Sequence, residues 1–348
     1  MNVIACDLGG THARFALVAL EPSSTTAHRF IHSGTLNCAD YRNFNQALEH
    51  FLDEASARPQ AACVAAAGPV NTRQLQSGCQ QTIQLTNLPW RLDSQEINTR
   101  FGLTHTYLLN DFAALVFAVS GDCTLELQPV HTVTDRPNNA CEDTTPPFLV
   151  LGPGTGLGAA VGIRNAGSVL PLNTEAGHSL FGPTNREQIA LLDYLLARQR
   201  EPSWETLVSG PGLSLLYDFI IAQQHDASPA GTQRLDAKEI VAQGISTPGS
   251  PAQRTLSLFL QLLGMFSRNL ALSCLPTTGI YLAGGLLPRI LPHLGNTDFL
   301  TGFYLFPTHR PLLEKIPISL VMDKHVGVLG ALTYIKHKLA MTPQTAPA

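Results

Sequence analysis

The chain of 348 residues is 44% apolar and carries 22 basic against 26 acidic side chains, for a net charge of −4 and a pI near 6.3. That length and apolar content suffice for two domains with sizeable cores, while the charge supplies no concentrated basic surface for nucleic acid. Seven scattered cysteines, none in a C-x-x-C pair, signal neither a disulfide framework nor a zinc knuckle and read as reduced thiols in a cytosol.

The chain opens on "MNVIACDLGG", without a basic leader or cleavage site, and no window approaches about 18 consecutive apolar residues. The expectation is a soluble cytoplasmic protein with no membrane partner. Val3 to Cys6 is a short apolar run, "DLGGTHAR" interrupts it, and Phe15 to Leu20 resumes it, which predicts strand, glycine turn, strand with Asp7 at the bend. "CVAAAGPV" (Cys63 to Val70) predicts a buried strand ending in a Gly-Pro turn, and "TYLLNDFAAL" a strand passing into a helix at Asn110 and Asp111. Between Leu127 and Pro147 the chain reads as a polar linker or surface excursion, and the core restarts at Phe148 to Leu151. From Glu187 onward, "EQIALLDYLLARQR", "GLSLLYDFIIAQQ" and "AQRTLSLFLQLLGMFSRNLAL" carry apolar residues at helical spacing. "GIYLAGGLLPRI" adds a strand, a Gly-Gly bend and a helix, and "GVLGALTYIKHKL" a closing helix with a basic end.

Two stretches echo one another: "VIACDLGGTHARFAL" and "FLVLGPGTGLGAAVGI" share the plan of apolar strand, Gly and Thr turn, apolar strand. A dinucleotide fingerprint can be laid on Gly154, Gly156 and Ala159, with Glu175 beyond as a ribose ligand, but that motif must open a helix. "AAVGIRNAGSVL" reads instead as the second arm of a hairpin, and the Walker pattern G-x-x-x-x-G-K-[ST] is absent. Such bends either bind phosphate through backbone amides, helped by the Thr155 hydroxyl, or simply turn the chain. An acid such as Asp7 suits a hydrated Mg²⁺, which keeps most of its waters. Asn110 and Asp111 are by themselves an ordinary helix cap. Glu175 and His178 have the E-x-x-H spacing of a helical metal pair, but Gly177 and the missing second copy argue against it. His28 and His32 lack the glutamate of a zinc motif and read as an incidental solvated pair.

"DLGGTHAR", "TNLPW", "LLNDFAAL", "GPGTGLG", "TEAGH", "LVSGPGL" and "LAGGLLPR", in that order over nearly the whole chain, resemble the zinc-free bacterial ATP-dependent glucokinases of the actin, Hsp70 and sugar kinase superfamily. The C-x-C-G-x-x-G-C zinc element of the repressor and sugar kinase branch is missing, and no helix-turn-helix segment precedes Val3. The resemblance implies an α/β protein with the duplicated actin-like ATPase (ribonuclease H-like) fold, two lobes around a cleft. The small domain would comprise residues 1–112 plus 325–348 and the large one 113–324. The implied activity is phosphorylation of D-glucose at the 6-hydroxyl by MgATP, with interlobe closure excluding water, in a cytoplasmic homodimer.

Position by position, the resemblance implies Asp111 as catalytic base, with Asn110, Glu175, His178 and Glu205 as sugar ligands and Asn87 in a loop near the sugar. Gly9, Gly10 and Thr11 would hold phosphate on one side, Gly154, Thr155 and Gly156 on the other. Gly284 and Gly285 would lie against adenosine, and Asp7 would hold Mg²⁺ through water. Two departures touch the phosphate loops: His12 stands where the family usually has Asn, and Pro153 removes one N–H. The alternatives are another hexose, another phosphoryl donor, or a non-catalytic sugar sensor, and an intact Asp111 argues against the sensor.

Overall fold

The computed structural model describes residues 1–21, 28–75, 78–120, 124–133, 146–165, 168–224 and 235–341. Most of the polar stretch at 134–147 and two of the cysteines, Cys123 and Cys141, lie outside these. The chain divides into two compact units, Met1–Leu125 with Asp323–Ala348, and Glu126–Met322.

In the first unit, β1 (Asn2–Leu8) and β2 (His12–Leu20) form an antiparallel hairpin extended by β3 (His28–Asn37). Helix α1 (Phe44–Asp53) follows, capped by the Asn43 side chain, and then β4 (Ala61–Ala66), which runs parallel to β1. All six residues of β4 are buried, the reason this strand is a continuous run of Ala, Cys and Val rather than an alternating one. A separate small sheet of β5 (Val70–Leu75), β6 (Gly78–Gln84) and β7 (Arg91–Asp93) leads into α2 (Ser94–Phe101). Strand β8 (His105–Asn110) pairs parallel with β4 and passes directly into α3 (Asp111–Val119). The main sheet order is β3-β2-β1-β4-β8.

The second unit begins with β9 (Leu127–His131), then the hairpin β10 (Phe148–Pro153) and β11 (Leu157–Asn165), and β12 (Ser168–Thr174). Helices α4 (Arg186–Leu196), α5 (Trp204–Leu207), α6 (Gly210–Gln224), α7 (Ala237–Ser246) and α8 (Pro251–Cys274) follow. Strand β13 (Gly279–Leu282), α9 (Leu287–Leu294), α10 (Thr297–Phe303), α11 (Arg310–Leu313) and β14 (Ile318–Val321) complete it. The sheet order is β12-β11-β10-β13-β14-β9. The chain then returns to the first unit as α12 (Val326–Met341), where the Tyr334 ring meets Phe117 of α3 at 4.9 Å.

Both sheets thus place an antiparallel triplet beside two parallel strands, β3-β2-β1-β4-β8 against β12-β11-β10-β13-β14, so the echo between the two glycine hairpins is a duplication of topology. Three details differ from the sequence reading. Strand β1 continues through Leu8, so Asp7 lies inside the strand, directly opposite Arg14, and the turn is only Gly9–Thr11. Leu127–His131, expected as linker, pairs with β14 as an edge strand, where Pro129 costs no ladder bond that matters. Finally, α3 belongs with the first unit, which extends to Leu125 rather than ending at 112. Helix α8 is the one helix among the described residues long and apolar enough to cross a membrane by length and composition, but 67% of its apolar stretch is buried in the fold. Leu256, Phe259, Leu263 and Phe266 are there the centre of the second unit's core.

Candidate active site

In the first unit the polar residues gather at the carboxyl ends of the parallel strands, the usual ligand position in an α/β sheet. Asp7 is the last but one residue of β1, Asn110 ends β8, and Asp111 opens α3. Asn110 performs the capping role its sequence suggested: its Oδ1 accepts from the amides of Phe112 (3.0 Å) and Ala113 (3.3 Å), and its Nδ2 donates to the Gly68 carbonyl at 3.3 Å. The cap fixes where the next side chain points. Asp111 Oδ1 accepts from Phe112 N–H at 2.9 Å.

Burial pushes the Asp111 carboxyl up to about 6; the Asp7 charge adds to the rise, and hydrogen bonds from the Phe112 amide, its own amide and Asn110 oppose it. Asp7 is itself raised by burial, with the Arg14 guanidinium and His325 pulling it back. Arg14 Nη1 donates to Asp7 Oδ2 at 3.1 Å. On its other side Asp7 faces the first turn of α12, where a Cβ on Gly327 would stand 2.6 Å from the Asp7 Cγ. Gly327 therefore opens the seat that Asp7 occupies, at the end of a helix whose dipole favours negative charge.

The turn Gly9–Thr11 is held from behind. Cys38 N–H donates to the Thr11 carbonyl at 2.8 Å, and the Cys38 thiol lies 3.7 Å from the Gly9 carbonyl. Gly9 spends its own amide on His12 O, which leaves the Gly10 and Thr11 amides without a backbone partner among the described residues. Asn87 packs so closely that a Cβ on Gly10 would come within 2.9 Å of its Cβ. The structure accordingly sets Asn87 against this turn, a contact the sequence reading did not anticipate.

The corresponding turn of the second unit, Gly154–Gly156, links two antiparallel strands, and no helix starts at Gly154, which removes the dinucleotide alternative. Gly154 N–H is spent on Gly156 O at 2.7 Å, so neither it nor Pro153 donates outward. Gly210 N–H, at the start of α6, donates to Gly154 O at 2.9 Å. Glu205 reaches in from α5, and its Oε2 accepts from Leu157 N–H at 2.8 Å. Gly284 backs the same hairpin at φ +99°, a conformation suited to glycine, with the Pro153 carbonyl where a side chain would begin. Gly285 follows it in the bend before α9.

After β12 the chain makes a single 3-10 turn at Ala176–His178. Tight turns eclipse residues three apart, which brings His178 Nε2 to 3.9 Å from Glu175 Oε2 and 4.0 Å from Glu205 Oε1. The structure thus unites Glu175, His178 and Glu205, and among the described residues no group of three His, Cys, Asp or Glu forms a metal cluster. His28 and His32 sit on strand β3, where residues four apart are roughly 13 Å from each other. His28 Nδ1 is 3.1 Å from Lys336 Nζ and the His32 ring lies 4.9 Å from Phe51, so each has its own partner and neither is simply solvated. Sequence reasoning passed over Arg14, Cys38, Gly327 and the Leu157 amide. Arg14 is set opposite Asp7 by the hairpin register, in which Leu8 pairs with Ala13 across the four residues 9–12; the others depend on tertiary contacts.

A family model described as Glucokinase matches residues 4–338. A glucokinase of Nostoc punctiforme is 33% identical over 348 residues, covering 94% of this chain and 97% of its own length. A glucokinase of Saccharophagus degradans is 32% identical over 337 residues, covering 95% and 97%. Among solved structures, the glucokinase of an Antarctic psychrotroph superposes with a TM-score of 0.77 at 27% identity, covering 97% of this chain and 99% of that one. The architecture is the duplicated, two-lobed actin-like ATPase fold. With the match spanning both glycine hairpins, Asp111 and the Glu175–His178 turn, the chain belongs to the glucokinase family.

Proposed function

We propose that this protein transfers the γ-phosphoryl group of ATP to the 6-hydroxyl of D-glucose, giving glucose 6-phosphate and ADP. The observation that carries this reading is Asp111, capped into place after β8 with a carboxyl raised to about 6, in a chain matched by the glucokinase family over residues 4–338. A base with that value is ionised at neutral pH yet strong enough to accept the sugar proton as the 6-oxygen attacks phosphorus.

In this reading Asp111 and Asn110 hold the reacting end of the sugar, and Glu175, His178 and Glu205 bind its other hydroxyls. Each carboxylate accepts two hydroxyl hydrogens, so a bound sugar of the wrong stereochemistry covers these groups and leaves them unpaired, at about 1 to 3 kcal/mol each. The Gly10 and Thr11 amides and those of Thr155 and Gly156 donate to phosphate oxygens. Gly9 and Gly154 shape the turns without donating, and Gly284 and Gly285 accommodate the adenosine.

Mg²⁺ on the triphosphate would neutralise charge that develops in transfer. Asp7 fits it: Arg14 occupies one carboxylate oxygen, and a hydrated ion that takes few carboxylates asks for no more from the protein. The same proposal includes a cytoplasmic homodimer, to be checked by light scattering. The deciding experiment is a coupled assay for glucose 6-phosphate with ATP and Mg²⁺, run beside a panel of hexoses and donors. Highest kcat/KM for glucose with ATP is expected; a higher value for fructose, mannose or an N-acetylhexosamine would reassign the substrate, and binding without turnover would make the protein a sensor.

A further inference from the structure

Leu157, the first residue of β11, lies between the second phosphate turn and the sugar-side turn. Its N–H donates to Glu205 Oε2 at 2.8 Å. Its carbonyl faces Gly177, in the middle of the Glu175–His178 turn, so closely that a Cβ there would overlap it. Glu205 in turn divides its two oxygens: Oε2 holds the phosphate turn, while Oε1 faces His178 Nε2 at 4.0 Å. A Cβ on Gly156 would overlap the Glu205 carboxylate, so the turn and the acid are in direct contact.

The support beneath Glu205 is rigid. Helix α5 is one turn long, capped by the Ser203 hydroxyl, and its neighbours Trp204 and Leu207 are buried at 2% and 0% exposure. The backbone at 205 is therefore anchored, and the freedom that remains lies in the carboxylate. Rotating that group moves both of its oxygens together.

We propose that Glu205 couples the sugar to the nucleotide within the second unit. The proposal rests on the glucose and ATP reading above. A sugar hydroxyl that donates to Oε1 fixes the carboxylate plane, which fixes Oε2, the Leu157 N–H and with it the Gly154–Gly156 turn that meets the phosphates. Sugar binding thereby completes the nucleotide site, and nucleotide binding tightens the sugar site by the same factor, since coupling between two sites is reciprocal. A phosphate turn held more firmly once sugar is bound disfavours ATP hydrolysis by water.

The test is calorimetric titration of the full-length protein with glucose, and with a non-hydrolysable ATP analogue plus Mg²⁺, each alone and in the presence of the other. Wild type should show a coupling of about fivefold or more. Gly156→Ala touches no sugar in this reading, yet it displaces Glu205, and it should weaken glucose about tenfold in nucleotide-free protein. Glu205→Ala should weaken the analogue by several-fold in sugar-free protein, and its coupling should fall to about one. Glu205→Gln keeps an acceptor for Leu157 N–H, so it should retain near-normal analogue affinity without sugar while losing glucose affinity, and it serves if the alanine variants do not fold. A Gly156→Ala glucose Kd within twofold of wild type, or an analogue Kd unchanged in Glu205→Ala, would make Glu205 a sugar ligand only and overturn the coupling. Glutamine weakening the analogue as much as alanine would also overturn it. Wild-type protein that binds neither ligand would instead fail at the glucokinase reading and take the coupling with it, an outcome distinct from binding without coupling.

Discussion

The two glycine hairpins occupy equivalent places in two copies of one sheet, but they are supported by different chemistry. Behind Gly9–Thr11 stand a buried thiol, a backbone amide and the packed Asn87 side chain. Behind Gly154–Gly156 stand a carboxylate that also faces His178, and the amide of Gly210. The charged residues near the first turn, Asp7 and Arg14, are paired to each other. The second turn is backed by a carboxylate that also faces His178, and that in the proposal above binds the sugar. The two units therefore have hairpins of similar backbone with different side-chain surroundings.

The largest effect should come from Asp111. Replacing Asp111 by Asn keeps the hydrogen-bond geometry at the start of α3 but removes the base, so kcat should fall by about 10² to 10⁴ while glucose Kd stays within a few-fold. Stopped-flow or coupled assays against calorimetric binding check this; near-normal kcat would take Asp111 out of the role. In the wild type, kcat should decline as pH drops through about 6, where Asp111 takes up a proton.

The same carboxyl carries a stability prediction of opposite sign. Its folded value is raised to about 6 from an ordinary value of about 4, so the fold disfavours the ionised form. The penalty is absent below about pH 4, where folded and unfolded chains are both protonated, and it is complete above about pH 6. Asp111→Asn should stabilise the protein at pH 8, by something on the order of 2 kcal/mol, and leave it nearly unchanged at pH 4. Thermal melts of both proteins at the two pH values measure the difference. A gain confined to low pH would reverse the sign and contradict the burial argument.

A direct contrast between the turns comes from adding one methyl group to each. On Gly10 the new Cβ would meet Asn87 at 2.9 Å, whereas on Gly154 it finds nothing within 4 Å. Gly10→Ala should cost about 1 to 3 kcal/mol, the usual range for overpacking. Gly154→Ala should be neutral, or stabilise by a few tenths of a kcal/mol by restricting the unfolded chain. Equilibrium urea unfolding of the two variants decides it. Equal losses would mean that the turns are not backed differently.

How far this was legible in the sequence follows the range of the interactions. The strand, turn, strand plan of both hairpins, the strand-to-helix junction at Asn110 and Asp111, and the long α8 are fixed by local periodicity and punctuation, and the structure has them. An acid after an apolar run reads as an ending and sets Asp7 at the bend, but the ladder runs on through Leu8 with Arg14 opposite Asp7. Strand β9 reads as linker because it opens a stretch rich in Thr, Asn, Asp and Pro, and pairing with the distant β14 defines it. Asn87, Gly327 and Leu157 acquire their roles from contacts with residues far along the chain, which no local pattern encodes.

The smallest expected effect tests whether the first turn depends on its backing at all. Cys38 is 2% exposed and touches the turn in two ways: through its amide, which survives any substitution except proline, and through a thiol 3.7 Å from the Gly9 carbonyl. A thiol is a weak donor, and at that distance its loss should matter less than the loss of a carboxylate bond at 2.8 Å on the other hairpin. Cys38→Ala should therefore raise the KM for ATP by no more than about threefold at saturating glucose, and Cys38→Ser, which restores a stronger donor, should bring it back. Both are read against Glu205→Ala under reducing conditions. A tenfold rise in Cys38→Ala would show that the thiol holds the first turn as firmly as the carboxylate holds the second, and that the two hairpins differ in which ligand they answer to rather than in how tightly they are held.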